Sequence, residues 1–173
     1  MVMLDRLLRV LRHRWAKDAR HTLPPEALER LRQRVAASEQ RHSGEIRICV
    51  EAGLPNSYLW RPDALPALLR QRALAQFGRL RIWDTEHNNG VLIYVCMAEH
   101  AIELVADRGV DRTAPPEYWA QTVRTLSAAL RTGSYEDGLG LAVDAVSSLL
   151  QQHFALNAGD ANPNELPDGP VLG

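Results

Sequence analysis

Trp83-Asp84-Thr85-Glu86-His87-Asn88-Asn89-Gly90 runs straight into Val91-Leu92-Ile93-Tyr94-Val95, a polar, acidic loop followed by an apolar run, and this junction decides how the rest of the chain is read. The apolar run extends to Met97 almost without a polar residue, as expected of a central strand covered on both faces. Only Ala98, Glu99 and His100 separate it from a second strand pattern over Ala101–Ala106. That connection is too short for a crossover helix, so the two runs must pair as an antiparallel hairpin. It follows that the loop entering the first strand and the loop leaving the second lie at the same end of the sheet.

Upstream, Glu45-Ile46-Arg47-Ile48-Cys49-Val50-Glu51 alternates in polarity and is rich in β-branched residues, which predicts a strand stopped by Gly53, Pro55 and Asn56. Between it and the hairpin, Leu65, Leu68, Leu69, Ala73 and Phe77 predict a helix over about 63–78, with Gly78 as a left-handed C-cap. The strands on either side of this helix should run parallel through a right-handed crossover. Thr22-Leu23-Pro24-Pro25-Glu26 opens an earlier helix with Thr22 or Leu23 near its N-cap, and Leu28, Leu31, Val35 and Ser38 mark its buried face. Two further helices are expected over about 115–131 and 135–153. The fold class is therefore α/β: a small mixed β-sheet, parallel crossover plus antiparallel hairpin, flanked by helices on both faces. Residues 1–21 form a basic amphipathic helix, residues 22–156 the α/β domain, and residues 157–173, dominated by Ala, Gly, Asn, Asp and Pro, an acidic tail expected to be disordered.

A chain of 173 residues can bury a full core as one domain. Its net charge of −1 argues against a nucleic-acid partner, which would call for a strong basic excess. Cys49 and Cys96 sit inside apolar strand runs with no second Cys or His at ligand spacing, so both read as buried thiols. No run approaches the length of a membrane span, and Asp5, Arg6, Arg9 and Arg12 interrupt what would be the apolar segment of a signal peptide. The expected location is the cytoplasm.

Leu4, Leu7, Leu8, Leu11 and Trp15 recur at three- and four-residue steps among arginines, predicting a helix over residues 2–19. Either this helix packs on the domain or a partner, or it lies on an anionic membrane surface with Trp15 and the leucines inserted. Arg9, Arg12 and Trp15 are thus candidate partner- or membrane-binding residues. Trp60 and Tyr58, in the loop after the first strand, are candidate contact residues because aromatic anchors are enriched at interfaces.

The polar loops at the shared end of the hairpin bring Asp84, Glu86, His87, Asn88 and Asn89 toward Asp107, Arg108, Asp111 and Arg112. Carboxylates with amide oxygens are the ligands of a hard cation. Asn88-Asn89-Gly90 also reads as an ordinary turn with Asp84 and Asp107 as caps or Arg partners. Gly44-Glu45-Ile46-Arg47, the Asn89-Gly90 step, Glu103-Leu104-Val105-Ala106-Asp107-Arg108-Gly109 and Gly133-Ser134-Tyr135-Glu136-Asp137-Gly138-Leu139 follow one another in an order that resembles the TPM domain family over about residues 22–156. The resemblance implies a small sheet flanked by helices and an acid phosphatase activity acting on phosphomonoesters. It also implies a bound Ca²⁺ or another divalent cation, and a LemA-type membrane protein as partner. Carried onto this chain, Asp84, His87, Asp107 and Arg108 become catalytic candidates, and Asp84, Glu86, Asn88, Asn89, Asp107 and Asp111 metal-ligand candidates. Asn88 stands where the family often has an acidic residue, removing one negative charge.

Overall fold

The sheet has the order β3-β2-β1-β4, with β1 at Glu45–Glu51, β2 at Gly90–Cys96, β3 at Ala101–Ala106 and β4 at Val171–Leu172. The computed structural model describes residues 2–16, 18–132 and 134–173, with side chains from Leu7 onward; Lys17, Gly133 and the side chains of Leu4 and Arg6 therefore lie outside the described residues. β1 and β2 are parallel, with Ile48 opposite Ile93, and β2 and β3 are antiparallel, with Ile93 opposite Leu104. The expected mixed sheet is thus present. Its hairpin closes through a 3₁₀ turn at Met97–Glu99 and the left-handed residue His100 (φ 47°).

Period-two alternation sorts the strands into two cores. Ile46, Ile48, Val50, Val91, Ile93, Val95, Ile102 and Leu104 face one layer, formed by α2 (Ala19–Thr22), α3 (Pro25–Glu39), α7 (Pro116–Thr132) and α8 (Tyr135–His153). Cys49, Leu92, Tyr94, Cys96 and Val105 face the other, formed by α4 (Asn56–Leu59) and α5 (Leu65–Arg79). All of β2 is buried. Both thiols lie in this second core, and burial pushes each up to about 12.

Local signals were displaced in three places. The first helix, α1, spans Val2–Arg14 and does not reach residue 19; the chain restarts at α2, where the Asp18 carboxylate caps the Arg20 N–H at 3.1 Å. The N-cap of α3 is Pro24, while Leu23, 1 % exposed, is anchored in the core. Gly78 remains within α5, and the left-handed backbone falls on Arg81 (φ 55°).

The tail corrects a larger expectation. Residues 157–173, read as disordered from composition, return along the sheet, and Val171 pairs parallel to Cys49. The reason lies in β1, whose polar residues Glu45, Arg47 and Glu51 are as buried as its apolar ones. Glu45 accepts hydrogen bonds from the backbone N–H groups of Glu165 (3.2 Å) and Leu166 (3.1 Å), and Arg47 Nη1 donates to Gly169 O at 3.1 Å. Buried polar groups need partners, and here the tail supplies them. Glu51 is satisfied instead from α5 and β2, by Arg72 Nε (2.8 Å), Gln76 Nε2 (2.7 Å) and Tyr94 Oη (2.8 Å). Burial alone would raise the Glu51 pKa, but these donors outweigh it and hold the carboxyl below its ordinary value.

Candidate functional site

The hairpin brings the two polar loops together as its direction requires. The Asp107 N–H donates to Gly90 O at 2.8 Å, Gly109 N–H to Asn88 O at 3.0 Å, and Arg108 Nε to Asn88 Oδ1 at 2.8 Å. Asn88 takes a left-handed backbone (φ 51°), which its short side chain tolerates. Gly109 is required by contact: a Cβ there would stand 2.5 Å from Asn88 O and 2.7 Å from His87 O.

The candidate ligands divide at this pole. Asp107 Oδ1 caps the short helix α6 (Arg108–Asp111) by accepting from Arg108 N at 2.7 Å, while Oδ2 is buried without a partner among the described residues. Asn89, 1 % exposed, donates through Nδ2 to Ser43 O (3.0 Å) and Oγ (3.2 Å), and its Oδ1 is likewise buried and unpaired among the described residues. Asp84 turns away to Arg81 at 2.6 Å, and the Glu86 backbone N–H is bound by the Glu165 carboxylate at 3.0 Å. His87 and Asp111 are exposed and make no side-chain hydrogen bond among the described residues. No group of three or more His, Cys, Asp or Glu among the described residues is arranged to hold a metal ion. The expected acidic cluster is therefore two loops in contact through Asn88, Asp107 and Arg108, with Asp84 engaged elsewhere.

At the opposite pole, α1 is clasped to the domain. Arg9 Nη2 donates to Leu59 O at 3.0 Å and Arg12 Nη1 to Glu99 Oε2 at 2.9 Å. His13, 7 % exposed, sits between Glu99 Oε1 (2.8 Å) and the Leu54 N–H, which donates to Nδ1 at 2.9 Å. Burial pushes Glu99 up, but the bonds from His13 and Arg12 prevail and its carboxyl lies below its ordinary value. Val10 packs against the core beneath. The face carrying Arg9, Val10 and His13 is thus turned inward, and the apolar stripe faces out: Leu7 is 50 %, Leu8 53 %, Leu11 40 % and Trp15 80 % exposed. Trp60 is also exposed, directly after the Leu59 carbonyl that Arg9 holds, and Tyr58 lies beneath the Arg61 guanidinium at 4.1 Å. Sequence reading missed His13 and Glu99. The available signal was the helical wheel: His13 lies opposite the leucines, beside Arg9.

The family model described as the TPM domain matches residues 16–149. The chain belongs to the TPM domain family. Its fold is similar to that of the BA42 protein of the psychrophilic bacterium Bizionia argentinensis, solved by NMR, with 24 % identity, a TM-score of 0.72, and coverage of 87 % of this chain and 95 % of that one. It is also similar to the N-terminal domain of a P. gingivalis protein, with 20 % identity, a TM-score of 0.56, and coverage of 81 % and 85 %. No curated protein matches. The Asn88–Arg108 pole lies within the matched TPM region, as do Leu54, Leu59 and Glu99 of the other pole, whereas α1, with its outward stripe, precedes it. None of the described helices is long and apolar enough to cross a membrane.

Proposed function

We propose that this TPM-domain protein is an accessory, partner-binding module that works at the cytoplasmic face of a bacterial membrane and engages its partner through the outward face of α1. The observation that carries this reading is the inverted docking of α1, whose polar face is bonded to Leu59, Leu54 and Glu99 while its leucines and Trp15 are exposed. A continuous stripe of large apolar side chains facing solvent marks an interaction surface. Arg12 and Arg14, both exposed, border it and suit an acidic partner surface or anionic headgroups. A LemA-type membrane protein, implied by family resemblance, is a partner of this kind. Flotation with vesicles containing anionic lipid, alongside pull-down with a purified LemA-type protein, tests the reading. Trp15→Ala with Leu11→Glu should abolish whichever binding occurs, without changing the melting temperature. Binding indifferent to both substitutions, or none to either target, would remove the proposal.

A second reading, cation-assisted phosphomonoester hydrolysis at the Asn88–Arg108 pole, is favoured by the buried, unpaired oxygens Asp107 Oδ2 and Asn89 Oδ1. These are hard acceptors of the type Ca²⁺ prefers. The remaining ligand candidates fit poorly, because Asp84 is paired with Arg81. Hydrolysis of a generic phosphomonoester lost in Asp107→Ala, together with calorimetric Ca²⁺ binding by metal-stripped protein, would establish this second reading; turnover unchanged in that variant would exclude Asp107 from it.

A further inference from the structure

β3 is an outer strand, and the phase of its pairing fixes which backbone groups look outward. Because the Asp107 N–H donates to Gly90 O directly opposite, the hydrogen-bonded pairs of the hairpin alternate from that point. Val105 and Glu103 therefore turn their N–H and C=O groups toward β2, and Ile102, Leu104 and Ala106 turn theirs away from it. Arg70 Nη1 confirms the phase by donating to the outward Leu104 O at 2.6 Å. The outward N–H groups of Ile102, Leu104 and Ala106 meet no acceptor among the described residues.

A groove of about 370 Å³ runs along this edge. One wall is apolar, made by Leu104 and Ala106 of β3 with Trp119 and Ala120 of α7. The other side carries Arg70 and Glu103, which face each other at 3.6 Å, and Asp111 at the groove's end has no ion-pair partner among the described residues. The groove thus holds one acid more than it balances. The indole N–H of Trp119 in the apolar wall is also buried without an acceptor among the described residues.

From this geometry we infer that the β3 edge receives an extended peptide segment of a partner protein as an added strand, with apolar side chains toward α7 and basic side chains toward Glu103 and Asp111. Unpaired outward N–H groups are a template for an extended backbone, and side chains alternating across the added strand meet the apolar wall on one side and, on the other, the Arg70–Glu103 pair with the net negative charge that Asp111 leaves. Arg70 occupies the carbonyl that the incoming strand must reach, so it acts as a gate. The inference is independent of the α1 face, because it uses the opposite edge of the sheet from β4 and none of the helix-clasp residues.

The test uses the full chain and an eight-residue peptide alternating Val and Lys, followed by amide NMR. Wild type should show saturable shifts and at least tenfold slower exchange at the Ile102, Leu104 and Ala106 amides. A Val-Glu peptide should bind at least tenfold more weakly. Ala106→Pro removes an outward N–H without touching the ladder to β2, and Ala120→Arg blocks the wall from an exposed helix position; each should cut affinity at least tenfold, while Arg70→Ala should raise it. Should Ala106→Pro fail to fold, Ala120→Arg decides. No saturable shift, shifts confined to other surfaces, equal binding of both peptides, unaltered affinity in Ala120→Arg, or an edge already filled by self-association through β3 would each overturn the proposal.

Discussion

His13 Nε2 lies 2.8 Å from Glu99 Oε1 while its Nδ1 accepts the Leu54 N–H at 2.9 Å, an arrangement that only the neutral tautomer protonated on Nε2 can satisfy. This ring is the buried member of the α1 attachment, beside the bonds of Arg9 and Arg12. His13→Ala should leave Glu99 and the Leu54 N–H short of partners at a cost of about 1–3 kcal/mol, and release the helix. Limited trypsin digestion should then cut after Arg14 much faster than in wild type, while the cores under β2 keep their amide protection.

Two buried groups set the pH range of stability in opposite ways. Burial pushes the Glu39 carboxyl up to about 8, with the charge of Glu45 adding to the effect and the Ile46 N–H opposing it. A raised carboxyl binds its proton more tightly in the folded state, so its contribution is complete below about 4.5 and is lost as pH rises toward 8. Burial pulls His42 down to about 4, so its contribution is present above about 6.5 and is lost as pH falls toward 4. Glu39→Gln should therefore lie close to wild type near pH 5 and exceed it by about 3–4 kcal/mol near pH 8. Denaturant midpoints measured at the two pH values check this.

Gly109 and Gly78 should respond oppositely to alanine. A Cβ at Gly109 meets backbone oxygens of Asn88 and His87 that cannot move without opening the pole, so Gly109→Ala should destabilise by about 2 kcal/mol or more. A Cβ at Gly78 meets nothing within 4 Å in a helical position, so Gly78→Ala should stabilise by about 0.5–1 kcal/mol. Thermal unfolding of both variants gives the comparison.

Deleting residues 157–173 should destabilise by about 2 kcal/mol or more, because the Glu45 carboxylate loses the Glu165 and Leu166 N–H groups while still burdened by its burial. Glu45→Gln in the shortened chain should recover part of the loss. Equal chemical stability of the full and shortened chains would contradict this account of the tail.

The sheet was legible where the side chains of one segment suffice to define it. Four residues between β2 and β3 forced the hairpin and thereby the meeting of Asn88 with Arg108. The tail was illegible because its order comes from partners more than a hundred residues away: Glu45 and Arg47 bind its backbone, and β1 pairs with Val171 and Leu172. The acidic cluster failed for the converse reason. The hairpin direction gathered Asp84 with Asp107, but the nearer Arg81 claimed the former. The stripe on α1 was read correctly as apolar; the wheel set His13 opposite it, but which face docks was decided by that histidine finding Glu99 eighty-six residues on.

Cys49 and Cys96, sealed between α5 and the middle strands, give the molecule a built-in clock. Thiolate, the form that attacks alkylating reagents, is scarce until water reaches these strands. The pace at which a reagent consumes the two sulfurs consequently counts partings of the central ribbon, read at Cys49 within β1 and at Cys96 where β2 enters its turn.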